Sequence, residues 1–575
     1  MIRPPYFRRC VWLLAQSVRC NSTFDSHLPK PNIINSSLSS VEIPNVTVPR
    51  YVYENFHKFP NKVGVECAAT GRKYTFEEIK TKSDKLRKAI RKVLNLQKGD
   101  VIALLLPNVP EFPICVLGSL EAGLTVTTIN PTYTAVEVKY QLLDSNAKAI
   151  ITLTSLNPLA QAVTKDIDSK IAIVNIKNEP TENLPVGAMN FEELVNIDIK
   201  IDEAEVDDAS STAFLLYSSG TTGLPKGVQL SHQNVVSNLC QTSHPLLKIA
   251  HDTSETDQDV VPGILPWFHV AGLNSVMLLY MRYLCKLVSL PKFTPELFLK
   301  TLLTQKPHLL LIAPPIVSFM ANHNAIKKVH LQPIRSIVCG AAPLDRNDEE
   351  KLGLKSGKHL NILQAYGLTE ASPFILATSA VRKKAIGFSG SVGEVLPNTM
   401  VKVVPPDNPH APSLGPNLPG ELLVKGPQVA VGYYNKPNDT NISFVNGWLR
   451  TGDLVYYDTN KMFYFQDRLK ELIKVKGFQV APAELEELIR AFPDIADAAV
   501  IGVPSQRFGE VPHAYVVVKP DRILNTEKLL QHVSSNVAEY KTLKGGITVI
   551  DSIPKNASGK ILRRELKLQY QSDNR

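Results

Sequence analysis

Cysteine is scarce in this chain of 575 residues. The seven present (Cys10, Cys20, Cys67, Cys115, Cys240, Cys285 and Cys339) are scattered, odd in number and form no C-x-x-C pair. A disulfide-framed fold and a cysteine-held zinc are therefore not expected, and a reducing compartment fits. No uninterrupted apolar run is long enough to cross a membrane. The most apolar stretch, Val101 to Leu120, is broken by Pro107, Asn108, Pro110, Glu111 and Pro113, and so reads as strand, turn and helix. A net charge of +9 is spread without a basic block or basic residues interleaved with aromatics. Nucleic acid is not expected as a partner, whereas a mildly positive surface suits anionic nucleotides. Internal repeats and low-complexity tracts are missing too.

Acidic residues are absent before Asp25, where Arg3, Arg8, Arg9 and Arg19 surround the apolar Val11-Trp-Leu-Leu-Ala15. Residues 1–24 are expected to be a targeting leader of mitochondrial type, with a cytosolic location as the alternative. A secretory signal competes, since Asn21, Asn35 and Asn45 each open an N-x-Ser/Thr sequon, but the odd cysteine count argues against it. The terminal Ser-Asp-Asn-Arg575 is not a Ser-Lys-Leu peroxisomal address.

At this length one hydrophobic core does not suffice, and two or more domains are expected. Between residues 41 and 466 amphipathic helical stretches alternate with short apolar runs: Val101–Leu106, Ala149–Thr152, Ile171–Val174, Leu309–Ile312 and Ile334–Cys339. That rhythm predicts mostly parallel sheets covered by helices on both faces. Beyond Gly390, Met400–Val404 and Gly420–Lys425 are separated by the loop-like Pro405 to Pro419, which predicts a small antiparallel or barrel-like unit. A charged break at 467–470 precedes a smaller unit, 471–575, with a helix over Pro482 to Phe492 and strands at Ala498–Ile501 and Ala514–Val518.

The densest chemical signal is Tyr217-Ser-Ser-Gly-Thr-Thr-Gly-Leu-Pro-Lys-Gly-Val-Gln-Leu-Ser-His232. Glycines let backbone N–H groups turn toward an anion, hydroxyls add donors, and Lys226 adds a mobile charge. Those are the needs of a polyphosphate. The spacing is not that of a Walker A loop, since Pro225 and Gly227 stand where glycine and Ser or Thr would be required.

This loop resembles the phosphate-binding signature of the adenylate-forming superfamily, which includes acyl-CoA synthetases, 4-coumarate–CoA ligases and firefly luciferases. Further motifs resemble that superfamily in the same order along the chain, notably Cys339-Gly-Ala-Ala-Pro-Leu344, Asn361-Ile-Leu-Gln-Ala-Tyr-Gly-Leu-Thr-Glu370 and Thr451-Gly-Asp453 followed by Asp467-Arg468. The resemblance implies an α/β fold: a large N-terminal domain of two mostly parallel, helix-covered sheets plus a small β-barrel-like unit, hinged to a small C-terminal α+β domain. It also implies that Ser218, Ser219, Gly220, Thr221, Thr222, Gly223 and Lys226 hold the ATP phosphates. Gly340, Ala341, Ala342, Gln364, Ala365, Tyr366 and Gly367 would border adenine, and Asp453, Arg468 and Gln479 the rest of the nucleotide. Thr369 would touch the α-phosphate, with Glu370 and Thr222 on Mg²⁺. A carboxylate beside phosphate is repulsive unless a cation lies between them, so Glu370 wants a hard metal.

Leu265-Pro-Trp-Phe-His-Val-Ala-Gly-Leu-Asn-Ser275 resembles the acyl-site segment, which implies that His269, Ala271 and Ser275 line the acid pocket. In plant coumarate ligases a tyrosine commonly stands two residues after the histidine. Here that place is Ala271, which predicts a larger, less polar pocket suited to medium-chain fatty or bulky aryl acids. By the same resemblance Lys560 bridges carboxylate and α-phosphate in adenylation and Lys474 serves thioester formation. Lys476 and Gly477 would lie near CoA, and Lys470 is the hinge about which the small domain turns. The implied activity is ATP-dependent formation of an acyl-AMP and then an acyl-CoA, with ATP and CoA as co-substrates and Mg²⁺ as cofactor. A luciferase-like monooxygenase, a carrier-loading adenylation domain and a non-catalytic binding protein are the alternatives.

Overall fold

The computed structural model describes residues 32–573, apart from 166, 168–170, 180, 186, 201–207, 219–223, 341–343, 359, 387–389, 407, 476–477 and 557–558. The expected leader, 1–24, lies outside the described residues. The first sheet has eight strands. Six of them run parallel, in the spatial order Thr212–Ser218, Thr125–Ile129, Val101–Leu105, Ala147–Leu153, Ala172–Ile176 and Met189–Asn190. Lys226–Ser231 and then Gly432–Tyr433 extend it antiparallel beyond Thr212–Ser218. Val101–Leu105 and Thr125–Ile129 are buried at every position, the pattern of strands covered on both faces.

Two of the covering helices show why they form where they do. Thr75 caps helix Phe76–Lys92 by accepting from Glu78 N, while the Glu78 side chain returns to the Thr75 backbone. The apolar helix Phe112–Glu121 packs on it closely enough that a Cβ at Gly118 would lie 2.7 Å from Ser83 O. Only glycine permits that approach.

The second sheet comes in two segments. Val260–Gly263, Lys286–Ser289 and Val63–Cys67 are parallel, with Lys73–Thr75 antiparallel at the edge. Leu309–Ile312, Ser336–Cys339 and Asn361–Gly367 are parallel, followed antiparallel by Phe374–Ala377 and Glu394–Val395. His308 N donates to Val260 O (3.0 Å) and joins the two segments. The third unit is an antiparallel sheet built on Met400–Val404, Gly420–Lys425 and Trp448–Tyr457, with Phe463–Arg468 as a further partner of the last. Its outer strand, Ile34–Asn35, pairs with Met400 and Val401, so the folded chain begins ahead of the residue 41 read from sequence.

The C-terminal unit has its own core around Ile473, Val480, Leu485, Val500 and Val516. Its long hairpin, Ile495–Ser505 with Gly509–Val518, carries helices Pro482–Arg490, Thr526–Asn536 and Arg563–Asp573. Asp467 and Arg468 still belong to the N-terminal sheet, because Asp467 pairs with Leu454 and Arg468 with Asp453. The connection proper is thus narrower than 467–470: Leu469 and the exposed Lys470. Among the described residues no helix is long and apolar enough to cross a membrane. The described cysteines (Cys67, Cys115, Cys240, Cys285 and Cys339) are free and buried.

Candidate active site

Three sheet ends meet at one site. The hairpin Trp448–Tyr457 and Phe463–Arg468 places Asp453 directly opposite Arg468, which puts both side chains on one face. Arg468 Nε lies 3.6 Å from Asp453 Oδ1, and Tyr366 OH, from strand Asn361–Gly367, donates to Asp453 Oδ2 at 2.7 Å. Burial pushes the Asp453 carboxyl above its usual range, and the charges of Arg468 and Lys560, with the Tyr366 hydroxyl, pull it back. The result is a buried carboxylate already held in place, able to accept two neighbouring hydroxyls.

Backbone fills the adjoining wall. A Cβ on Gly340 would lie 3.0 Å from Ala365 O, and one on Gly367 only 2.0 Å from Pro373 O. Both positions therefore exclude side chains. Gln364, Ala365 and Tyr366 are buried beside them. Ala341 and Ala342 lie outside the described residues.

At the other end, Ser218 closes strand Thr212–Ser218 and pairs in register with Lys226 on the returning strand. Of the loop they bracket, Ser219, Gly220, Thr221, Thr222 and Gly223 lie outside the described residues. Its stems are fixed from several sides. Tyr140 OH donates to Pro225 O (2.9 Å), Tyr217 OH donates to Asp144 Oδ2 (2.7 Å), and Lys436 Nζ holds Asp144 Oδ1 (2.7 Å). Burial and that hydrogen bond to Asp144 push the Tyr217 phenol well up, so it stays a donor.

Lys226 is ion-paired with Asp439 and lies 5.4 Å from the Tyr433 ring centroid. Glu370, only 8% exposed, accepts at one oxygen from both Ser218 Oγ (3.2 Å) and Tyr433 OH (2.9 Å). Thr369 is buried next to it in the short turn Thr369–Ala371.

The third wall carries His269. Asn108 clamps the approach to it by donating to Gly263 O (2.8 Å) and Leu265 O (3.0 Å) and accepting from Trp267 N (2.7 Å). Residues Ala271–Leu278 then form a π-helix, a geometry often found at functional sites. A Cβ on Gly272 would lie 2.0 Å from Pro266 O, so this turn packs without clearance. His269 keeps some accessible surface although protein surrounds it, as expected of a group lining a recess. Burial pushes its imidazole down to about 4, so it is neutral near pH 7. Its Nδ1 accepts from Ala271 N (3.3 Å), which leaves Nε2–H as the free donor. Ser275 is buried, while Ala271 keeps accessible surface.

The lysines are not equivalent. Lys560 stands in the electrostatic neighbourhood of Arg468, Glu471, Lys470 and Asp453; burial first, then the two cations, push it down to about 8 against the pull of the carboxylates. Its loop rests on the large domain. Gly559, at φ +83°, faces Pro315 so closely that a Cβ would lie 3.2 Å from Pro315 Cγ. Lys474, by contrast, is exposed on a small hairpin opposite the equally exposed Gln479. Among the described residues no hydrogen bond or ion pair joins either to Tyr366, Asp453 or Arg468. Lys476 and Gly477, between them, lie outside the described residues. Lys470 occupies the turn closed by Glu471 N donating to Arg468 O (2.9 Å).

The structure therefore brings together Ser218, Lys226, Gly340, Gln364, Ala365, Tyr366, Gly367, Thr369, Glu370, Asp453, Arg468 and Lys560 around three sheet ends. It leaves Lys474 and Gln479 apart from them. It adds Asp144, Tyr433, Lys436 and Asp439, which sequence reading passed over. Tyr433 alone had a local signal, the Gly432-Tyr-Tyr434 run just before an Asn-Lys-Pro turn.

Residues 52–434 match the AMP-binding enzyme family, and residues 484–560 match the AMP-binding enzyme C-terminal domain. A probable 4-coumarate–CoA ligase 1 of Dictyostelium discoideum is 35% identical, over 92% of this chain and 97% of its own. The 4-coumarate–CoA ligase 1 of Arabidopsis thaliana is 36% identical, over 93% of this chain and 95% of its own. Among solved structures, ATP-bound MatB from Rhodopseudomonas palustris is similar with a TM-score of 0.79 at 25% identity, covering 92% of this chain and 100% of that one.

Proposed function

The chain belongs to the AMP-binding enzyme family, and on that premise we propose that its acid is a medium-chain fatty acid or a bulky aryl acid. The reaction class follows from the family and its relatives. This is an acid–thiol ligase that activates a carboxylic acid with ATP to an acyl-AMP and transfers the acyl group to CoA, releasing AMP and pyrophosphate. The oxygenase alternative is not favoured, since the relatives compared above are named as CoA ligases.

A carboxylate is a poor acyl donor because oxide would have to leave. AMP is a good leaving group, so the first step is attack of the carboxylate on the α-phosphorus of ATP with loss of pyrophosphate. The acid is already ionised near pH 7, at a pKa of about 4 to 5, and needs no general base. What it needs is alignment of two anions and neutralisation of the charge that grows on phosphate. The observation that carries this reading is Asp453 held between Tyr366 and Arg468, with the charge of Lys560 in their neighbourhood. In it, Asp453 takes the ribose hydroxyls, Tyr366 lies against adenine, and Lys560 meets the attacking carboxylate and α-phosphate. The neutral His269 offers its Nε2–H to the acid. In the second step the CoA thiol attacks the acyl carbonyl, its proton is lost, and AMP departs.

Magnesium fits the same arrangement. Among the described residues no group of three His, Cys, Asp or Glu side chains could hold a metal ion by itself, and Glu370 is a buried carboxylate beside the phosphate-loop stem. Mg²⁺ is typically held by one or two carboxylates together with substrate phosphates, with Thr222 as the proposed second donor. Bound there, it would neutralise charge on the phosphates.

The acid is read from Ala271, which keeps accessible surface where Gly272 to Tyr280 are buried. A methyl group leaves room that a phenol would fill. Each methylene is worth only about 1–3 kcal/mol, so a broad chain-length profile is expected. Thioester formation from octanoate, decanoate and 4-coumarate tests this: the first two should lead, and a strong coumarate preference would overturn it. The arginine-rich, acid-free residues 1–24 support a mitochondrial address, which a reporter fused to them and imaged against a mitochondrial marker would check, and a medium-chain acid would place the reaction in fatty acid metabolism.

A further inference from the structure

The segment between the domains holds a contact that none of the assigned chemistry requires. Asp467 is the penultimate residue of strand Phe463–Arg468 and only 2% exposed. One carboxylate oxygen accepts from Arg468 N (2.7 Å), and the other reaches across the connection to Ala483 N (2.8 Å). Ala483 lies in the first turn of helix Pro482–Arg490, whose Ala481 N-cap supplies no side-chain acceptor. Pro482 has no N–H, so Ala483 presents the first backbone donor of that helix. The large domain thus caps a helix of the small one.

A cluster of bonds within the small domain lies beside it. The Arg563 guanidinium donates to Glu471 Oε2, to Glu486 Oε1 (2.6 Å) and to Val500 O (3.2 Å). Asp467 adds to its field as a further favourable charge. Asp467 precedes Lys470 and Glu471 follows it; Glu471 bonds this guanidinium, and Asp467 acts on it through its charge. Arg563 is three residues beyond Lys560. The Asp467–Ala483 contact therefore spans the Leu469–Lys470 connection, and the neighbouring Arg563 lies on the segment that carries Lys560. Rotation about Lys470 would carry Ala483 and Arg563 away, whereas Asp467 stays paired with Leu454.

We propose that Asp467 is a positioning residue: by bonding Ala483 N beside Arg563, it holds the small domain in the orientation that presents Lys560 and so sets the balance between the two half-reactions. It touches neither substrate nor nucleotide in this role.

The test separates the half-reactions on the full-length enzyme. Asp467→Ala should slow acid-dependent pyrophosphate exchange into ATP by about tenfold, the loss expected of one charge-assisted hydrogen bond. The same variant given preformed acyl-AMP and CoA should make thioester at the wild-type rate or faster. Asp467→Asn keeps an acceptor oxygen for Ala483 N and should recover most of the exchange. Equal loss in both half-reactions would mark a merely structural residue and overturn the proposal, as would unchanged exchange. If the alanine variant does not fold, Asp467→Ser, too short to reach Ala483 N, carries the test: a loss confined to exchange supports the clasp, and parallel changes in both half-reactions, or none, refute it.

Discussion

Lys560 and Lys474 belong to the same small domain yet occupy opposite circumstances. Lys560 is pressed against the large domain, with Gly559 on Pro315 and its charge among Arg468, Lys470, Glu471 and Asp453. Lys474 is exposed on a three-residue strand, opposite Gln479. On the roles proposed for the two lysines, this arrangement would serve carboxylate activation, and the thioester step would require the small domain to turn. Domain rotation about a few connecting residues is a common way to present two sets of groups to one site.

Removing each cation breaks this comparison most sharply. Lys560→Ala should lower acid-dependent pyrophosphate exchange by about 10²–10³-fold, the usual cost of one group aimed at developing charge. Lys474→Ala should leave exchange near wild type and slow thioester formation from preformed acyl-AMP. Equal effects in both assays would erase the distinction between the two lysines.

Acidity gives a second, smaller test. Because Lys560 is pushed down to about 8, its charge is present below that pH and lost as pH rises through it. With kcat/KM for the acid reporting the free enzyme, adenylation should fall about tenfold per unit above pH 8. His269 is neutral across the same range and should add no change there. In Lys560→Arg the alkaline limb should vanish, since guanidinium does not titrate.

The smallest effect concerns the seat of the lysine rather than its charge. Gly559→Ala adds a Cβ at φ +83° and 3.2 Å from Pro315 Cγ. Both strain the docked loop, and about 1–2 kcal/mol is expected, a roughly five- to thirtyfold loss of exchange. The thioester half-reaction, which does not use this seat, should change little.

Much of this was legible along the chain. Leu309–Ile312, Met400–Val404 and Gly420–Lys425 match their observed strands end to end. The Asp453–Arg468 pair was named through the resemblance its two motifs carry, and the hairpin register then sets the two residues opposite each other. Asp144 and Lys436 were not, since their ion pair joins residues 292 positions apart and neither has a distinctive neighbourhood. The boundary at residue 41 missed Ile34–Asn35 because a two-residue strand carries no periodicity.

Sequence by itself determined the motifs and the class of chemistry, for reasons of range: glycine and hydroxyl patterns, strand runs and hairpin registers all act within a few residues. Tertiary structure alone decided which lysine lies in the field of Asp453 and Arg468, that Asp439 holds Lys226, and that Asp467 caps the helix beginning at Pro482. Those outcomes depend on how folded units meet. Charges and donors distant in the chain find one another only after their own cores have formed, and no local propensity encodes the angle at which two domains dock.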